Sequence, residues 1–396
     1  MQAINPTLII AGPAIIAYKG KGFYSKESIP VTPTETLSDI NSSAYGSVAK
    51  IATDQLFQIK LTPLGNLDSL DVLYPRHLRT FAIGKLLHYD TAFTIATVTG
   101  IVTATANDFD DGHEVRVATL GTLPAGLSAS TLYYYHKLTA DTGTLHTTLA
   151  DALAGTSPVI PTTTGTGTLK MIEQPSLQIW SINESKGYKF HNAVVSTMPS
   201  IGAKSTDTAL KEVAFTALRK HGADPETDSE AFFSAITVAP SVTFDPDAIV
   251  VTPYTLGWGA ASPWSAVSTE AGIEIDFGLT TEPVRDDVGG ILSYRVTAVT
   301  PTAKAKPLNI SEDAVLAKRL FQGTGARHGR KISDNDDLVI TGDGLCVVLY
   351  NAALTDTPIN YDGKANRSGD FTWSAQRKFT AGVPQALFYI GTEAPV

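Results

Sequence analysis

KFHNAVVSTMP, residues 189–199, returns as VLYNAALTDTP, residues 348–358, with Asn, Ala and Pro at the same three offsets and similar apolar residues between them. The surroundings repeat as well. EVAFTA at 212–217 is matched, with one residue deleted, by DFTWSA at 370–375, and both alternate with the period of a strand. Upstream, LFQIKLTP at 56–63 pairs by pattern with YRVTAVTP at 294–301. A short helix is predicted after each. The first covers 66–74, capped by Asn66 with Leu67, Leu70 and Leu73 on one face; the second covers 311–322, opened by Ser311-Glu312-Asp313. The order strand, Thr-Pro, helix, Asn-Ala hairpin, strand therefore occurs twice, which predicts two copies of one fold.

The copies differ in length until residues 91–171 are removed. That stretch is rich in Thr, Gly, Ala and Leu and holds only three basic side chains, Arg116, Lys137 and Lys170. Strands are predicted at 93–105, 113–118, 132–137 and 166–171, separated by Asp-Gly, Leu-Pro-Ala-Gly and Pro/Thr/Gly turns. The expected organisation is a first domain of 1–90 with 172–235, an inserted small β-sandwich at 91–171, and a second domain of 236–396. The fold class is mainly β: each copy is a sandwich or open barrel with one helix packed across it. Within the first copy a tight turn is expected at Lys186-Gly187. Two polar stretches at matching points, 34–54 and 276–290, are too long for connecting turns and are expected to be functional loops.

Composition points the same way. Hydrophobic residues make up 43% of the 396, enough for ordinary cores, while charge is sparse at 17% and 22 prolines punctuate the chain. A net charge of -9, with no Lys/Arg run, argues against a protein that neutralises phosphates. Cys346 is the single cysteine, so no intramolecular disulfide and no Cys-based zinc site can form; it is expected to be a small buried strand residue. The apolar opening, broken by Pro6, Gly12 and Pro13, is expected to be a first strand, not a signal peptide. No apolar run reaches the ~18 residues of a membrane span.

Catalytic signatures are absent. The eight histidines form no HExxH or His-x-His pair, and GxSxG does not occur. Asp334-Asn335-Asp336-Asp337 resembles a calcium-ligand run, but it lacks the loop glycine and the distal Glu, so a solvated turn before a strand at 338–341 is expected. Gly20-Lys21-Gly22 lacks the spacing of a phosphate loop and reads as a hairpin turn. Alternation places Tyr134 opposite Tyr133 and Tyr135, and packing is expected over a sugar-stacking role.

The run INPTLIIAGPAIIAYKGKGFYSKESIPVTPT at 4–34, the Leu-Thr-Pro-Leu-Gly at 61–65 and KGYKFHNAVVSTMPSIGAKSTDTALKEVAFTALRKHG at 186–222 resemble the major tail tube proteins of long-tailed bacteriophages. Independently, GHEV at 112–115, GTLPAGL at 121–127 and TLYY at 131–134 resemble an immunoglobulin-like module of phage structural proteins. The resemblance implies a virion protein without enzymatic activity or cofactor. It implies rings that stack into a tube, trimeric with pseudo-sixfold symmetry because each chain carries two copies. Implied partners are the chain itself, a tape measure protein, tail terminator or baseplate proteins, and DNA sliding through the lumen without specific binding. No membrane is involved; assembly would take place in the host cytoplasm. The long loops then reach a neighbouring ring, which nominates Asp39, Tyr45, Lys50 and Asp54 in the first copy and Glu282, Arg285 and Asp287 in the second. Strand positions Gln58, Lys60 and Arg295 are candidates for the lumen. Alternative readings are a capsid decoration or baseplate protein, or a glycan-binding β-sandwich.

Overall fold

Asn192 and Asn351, the repeated asparagines, both sit in the left-handed region, at φ 51° and 52°. Few residues other than glycine tolerate that region, and Asn is prominent among them. In the computed structural model each marks a corner. Strand Lys186–Phe190 pairs with Leu177–Ser181 and with Phe233–Ile236, and immediately after Asn192 the chain enters a different sheet, where Ala193–Thr197 pairs with Val213–Ala217. Leu345–Asp356 is one strand, yet it changes partner across Asn351: residues before it pair with Phe388–Gly391, and residues after it with Phe371–Ser374. The alanine that follows, Ala193 or Ala352, is wholly buried. Replacing Asn351 by Ala is expected to cost about 1–2 kcal/mol in denaturant unfolding, whereas Asn351→Gly stays within a few tenths of the parent. Equal destabilisation by both would remove the conformational explanation.

The structure describes residues 14–64, 70–79, 83–203, 208–220, 228–242, 254–258, 269–286, 290–307, 335–342, 344–356, 370–393 and 395. It is mainly β in several sheets, with three short helices among the described residues.

The two polar stretches expected as loops are long β-hairpins. Val31–Ser42 pairs with Gly46–Leu61 along its whole length. In the second, Thr269–Asp276 and Leu279–Asp286 pair with Thr302–Pro307 and Gly290–Val299, broken only at 277–278 and 300–301. The hairpins share a register. Ser42 faces Gly46 as Asp286 faces Gly290, and the pairing slips between Thr36/Leu37 and Ile40/Asn41 in one and between Thr280/Thr281 and Val284/Arg285 in the other. One constant offset, the one that takes Gly46 to Gly290, carries both bulges across. The sheet partners fix the same alignment, since Phe215 faces Ile59 and Trp373 faces Ala303. The counterpart of 56–63 is therefore 300–307, not 294–301. The shift is an even number of residues, so it leaves the inward and outward pattern intact.

In the first half, Ala14–Tyr18 and Lys21–Ser25 form a hairpin whose two turn residues, Lys19 and Gly20, both have positive φ. The turn expected at Lys186-Gly187 lies one step earlier, at 182–185; Lys186 and Gly187 already pair with Ser181 and Trp180. Gly187 is needed there for closeness: a Cβ would stand 2.8 Å from the Trp180 ring and 2.6 Å from the Ile179 carbonyl oxygen. Instead of one helix at 66–74 there are two short ones, Leu70–Leu73 and Arg76–Arg79, separated by Pro75, which cannot continue the first. The helix expected at 311–322 lies outside the described residues.

One hydrophobic core runs through both halves. It joins Tyr18, Ile59 and Phe215 to Trp258, Trp373 and Phe388. The short helices form the bridge: Tyr74 packs on Phe277 at 4.8 Å between ring centres, and Phe277 on Phe388 at 4.7 Å. Full burial of a large apolar side chain stabilises by about 1.5–3 kcal/mol, so this bridge holds the halves together.

The inserted segment is a closed six-stranded barrel, not a sandwich, with a core of its own. The predicted strand at 93–105 divides into Asp90–Ile95 and Ile101–Thr103 around a turn, and the expected strands at 113–118, 132–137 and 166–171 become Glu114–Thr119, Tyr133–Lys137 and Leu169–Glu173. Strand Thr142–His146 and the helix Leu149–Ala154, capped by Thr148 and Gly155, were not foreseen. Its first and last strands lie side by side, Asp90 opposite Ile172. Tyr133 and Tyr135 point into its core while Tyr134 is partly exposed, as alternation required. Cys346 is buried in its strand. The acidic run does not form a turn: Asp336 and Asp337 belong to strand Asn335–Gly342, and Asp337 Oδ1 accepts a 2.7 Å hydrogen bond from the Asn351 amide.

Candidate assembly surface

From Thr32 to Ala52 the first hairpin is exposed on both faces almost throughout. Asp39 and Lys50 stand opposite one another and form an ion pair at 3.3 Å, and Tyr45 at the tip is 85% exposed. Leu37, Ile40, Val48 and Ile51 also face solvent. A strand with neither face buried shows no hydrophobic alternation, which is why 34–54 read as a loop.

Its twin is docked. Ile291 packs with Leu56 and Leu218 in a small cluster that Tyr294 borders. Arg285 reaches Asp54 with an N–O distance of 2.6 Å. Ser293 Oγ lies 2.7 Å from His88 Nδ1, and His88 Nε2 hydrogen bonds Asn192 Oδ1. Backbone pairing extends the contact: the Gly84 and Leu87 amides donate to Val296 and Tyr294 carbonyls, and the Val296 amide donates to Lys85. Gly290, at φ 67°, lets the backbone approach Thr53, whose carbonyl oxygen would lie 2.9 Å from a Cβ there.

Of the nominated loop residues, Asp39, Tyr45 and Lys50 lie on the exposed first hairpin. Asp54 does not: it is 4% exposed beneath the second hairpin, and Arg285 is committed to it within the same chain. Glu282 pairs with Arg295 at 3.0 Å on the solvent side, and Asp287 lies outside the described residues. Among the lumen candidates, Gln58 and Lys60 are exposed and alternate with the buried Ile59 and Leu61. Lys60 carries Glu212 at 3.0 Å. Each basic lumen candidate thus has a carboxylate beside it, which lowers its pull on a passing phosphate.

The sheet edges differ between the halves. Ile201–Ala203 of the first half pairs with Thr269–Asp276, Ile201 facing Ile275, and so extends the second half's large sheet. The corresponding edge of the first half, the strand Val31–Ser42, ends its own sheet.

One polar cluster was missed because its members come from four separate elements. Glu173, at the end of the barrel's last strand, meets Lys19 of the first hairpin turn at 2.6 Å; the two side chains are 3% and 7% exposed. His113 Nδ1 lies 3.6 Å from the same carboxylate. Burial alone would push the Glu173 carboxyl up, but the Lys19 ammonium and the neighbouring His113 outweigh it and hold the group at about 2. His113 and His77 are driven down to about 4, chiefly by burial. Lys189 and Glu114, 2.5 Å apart and largely buried, make a second tie between barrel and host. This arrangement anchors the barrel. Among the described residues no three His, Cys, Asp or Glu side chains converge as metal ligands.

The sequence matches no family model and resembles no curated protein at a significant level.

Proposed function

We propose that this chain is a structural subunit of a phage tail tube: two tandem copies of a tail-tube-type β fold, joined into rings of three chains with pseudo-sixfold symmetry that stack around a DNA-conducting channel. The observation that carries the reading is the sheet extension by Ile201–Ala203. A strand from one half completes the edge of the other, in a head-to-tail sense, while among the described residues the edge at Val31–Ser42 stays open for the next chain. Such a contact propagates, and a rotation that closes makes a ring. An open edge is an aggregation hazard in a monomer and is removed in a ring. The net charge of -9 and the carboxylates paired to Lys60 and Arg295 suit a lumen that passes DNA without holding it. The barrel, with a core of its own and tied to its host through Lys19–Glu173 and Lys189–Glu114, rides on the outside. The output of such a subunit is geometry, with no reaction to catalyse.

Electron microscopy of the purified full chain over a range of concentration tests this. Hollow tubes built of rings with three-fold or pseudo-sixfold end views are expected. Protein that remains as isolated particles at every concentration would count against it.

A further inference from the structure

Positions that are covered on the docked hairpin are uncovered on its twin. Ile291, Ser293 and Val296 are buried, whereas their equivalents Ser47, Ala49 and Ala52 are exposed. The acceptor surfaces differ in the same sense. Leu56, Thr216 and Leu218 are buried under the second hairpin or beside it, while their equivalents in the second half, Thr300, Ser374 and Gln376, are exposed or partly exposed. Among the described residues there are therefore one filled joint, one unfilled hairpin and one unfilled acceptor surface.

From this we infer that the hairpin Val31–Ser42 with Gly46–Leu61 of one chain docks on the second half of another copy of the same chain, over Thr300, Ser374 and Gln376, in the pose that 279–299 takes on the first half. The inference rests on the ring reading and adds its lateral contact. Beyond the base, 35–55 and 279–299 share their length, register and both bulges, so these outer parts fit the same seat; the second hairpin breaks from its sheet at 277–278 and 300–301, where the first is continuous. A second copy is the occupant because the matching acceptor on the hairpin's own first half is already filled.

The chemistry of the two joints differs. In the filled joint Ile291 meets Leu56 and Leu218; in the unfilled one Ser47 faces Thr300 and Gln376. The joint within the chain combines an apolar cluster with the Arg285–Asp54 ion pair and the His88–Ser293 contact, as suits a permanent contact. The joint between chains is polar, which keeps a lone subunit soluble and makes the contact formed on assembly reversible.

The test uses the full chain carrying Ser47→Cys and Thr300→Cys, treated with a short bismaleimide under assembly conditions; the native Cys346 is buried. Covalently linked pairs and triples of chains are expected on a denaturing gel, and neither single variant should give them. Assembled material that gives no inter-chain product would overturn the inference and leave the tube reading standing. So would equal linking by Ser47→Cys alone, which signals a symmetrical hairpin contact. Discrete cross-linked rings that never stack would support the docking and sink the tube. Should the double variant fail to fold, hydrogen exchange on the parent chain serves: new protection at 46–52 and 374–376 on assembly is expected, and unchanged exchange at both overturns the proposal.

Discussion

Acidification from above pH 6.5 to pH 4 is expected to strip this protein of several kcal/mol of stability through its buried histidines. His77 and His113 are buried, and burial drives both from the ordinary 6.5 to about 4. Below pH 6.5 the unfolded chain takes up protons that the folded chain refuses, so stability falls as pH falls through that window. Each pH unit is worth about 1.4 kcal/mol per group, on the order of 3 kcal/mol for each histidine over the window. Glu173 acts later. Its carboxyl is held at about 2, below the ordinary 4.5, so its contribution is present above pH 4.5 and is lost between there and pH 2. Thermal melts at steps between pH 7 and pH 4 should show a falling midpoint, and His77→Asn should lose about half the slope. A flat profile over that range would refute the burial of both rings as neutral groups.

Lys19→Met should cost about 3–5 kcal/mol, the usual penalty for leaving one partner of a buried ion pair alone. The Met side chain matches the lysine stem in volume, so the loss reports the charge and not a cavity. Removing Lys19 also takes away a charge that disfavours protonated His113, so the variant should show a shallower acid slope than the parent. The double variant Lys19→Met/Glu173→Leu should recover most of the loss, because removing both charges abolishes the desolvation penalty as well as the attraction. Denaturant unfolding of the four proteins gives the coupling directly. Additive losses would mean that the two side chains do not form a pair in solution.

The β class and the recurrence of the asparagines were legible in the sequence because each leaves a local mark, although the Asn-Ala pairs, expected in hairpins, lie where the chain changes sheet or strand partner. Period-two alternation marks a strand with one buried face, such as 56–61, and a stretch with few basic residues marks the barrel. What stayed hidden was non-local. The hairpin at 31–61 has no buried face from 32 to 53, and 278–285 of the second hairpin has none either, so nothing in the residue order separates those stretches from loops. The equivalence of 56–63 with 300–307 was misjudged because an even displacement preserves every inward and outward position. Asp54 and Arg285 were nominated together as loop residues, yet their contact with each other depends on how one half folds over the other. Closure of the barrel, in place of two packed layers, depends on the strand Thr142–His146, whose Thr-Gly-Thr start hides it among turn signals.

The barrel leaves its host through neighbouring positions: the Glu173 amide donates a 2.8 Å hydrogen bond to the Tyr89 carbonyl, so the two connecting strands emerge as a zipped pair. A loop closed that tightly adds almost nothing to the conformational entropy of the host, whatever it contains. The closure itself is therefore indifferent to what it encloses. A lineage, or an engineer, can exchange this barrel for another module provided that the replacement also brings carboxylates to Lys19 and Lys189, which would otherwise be left buried and unpaired.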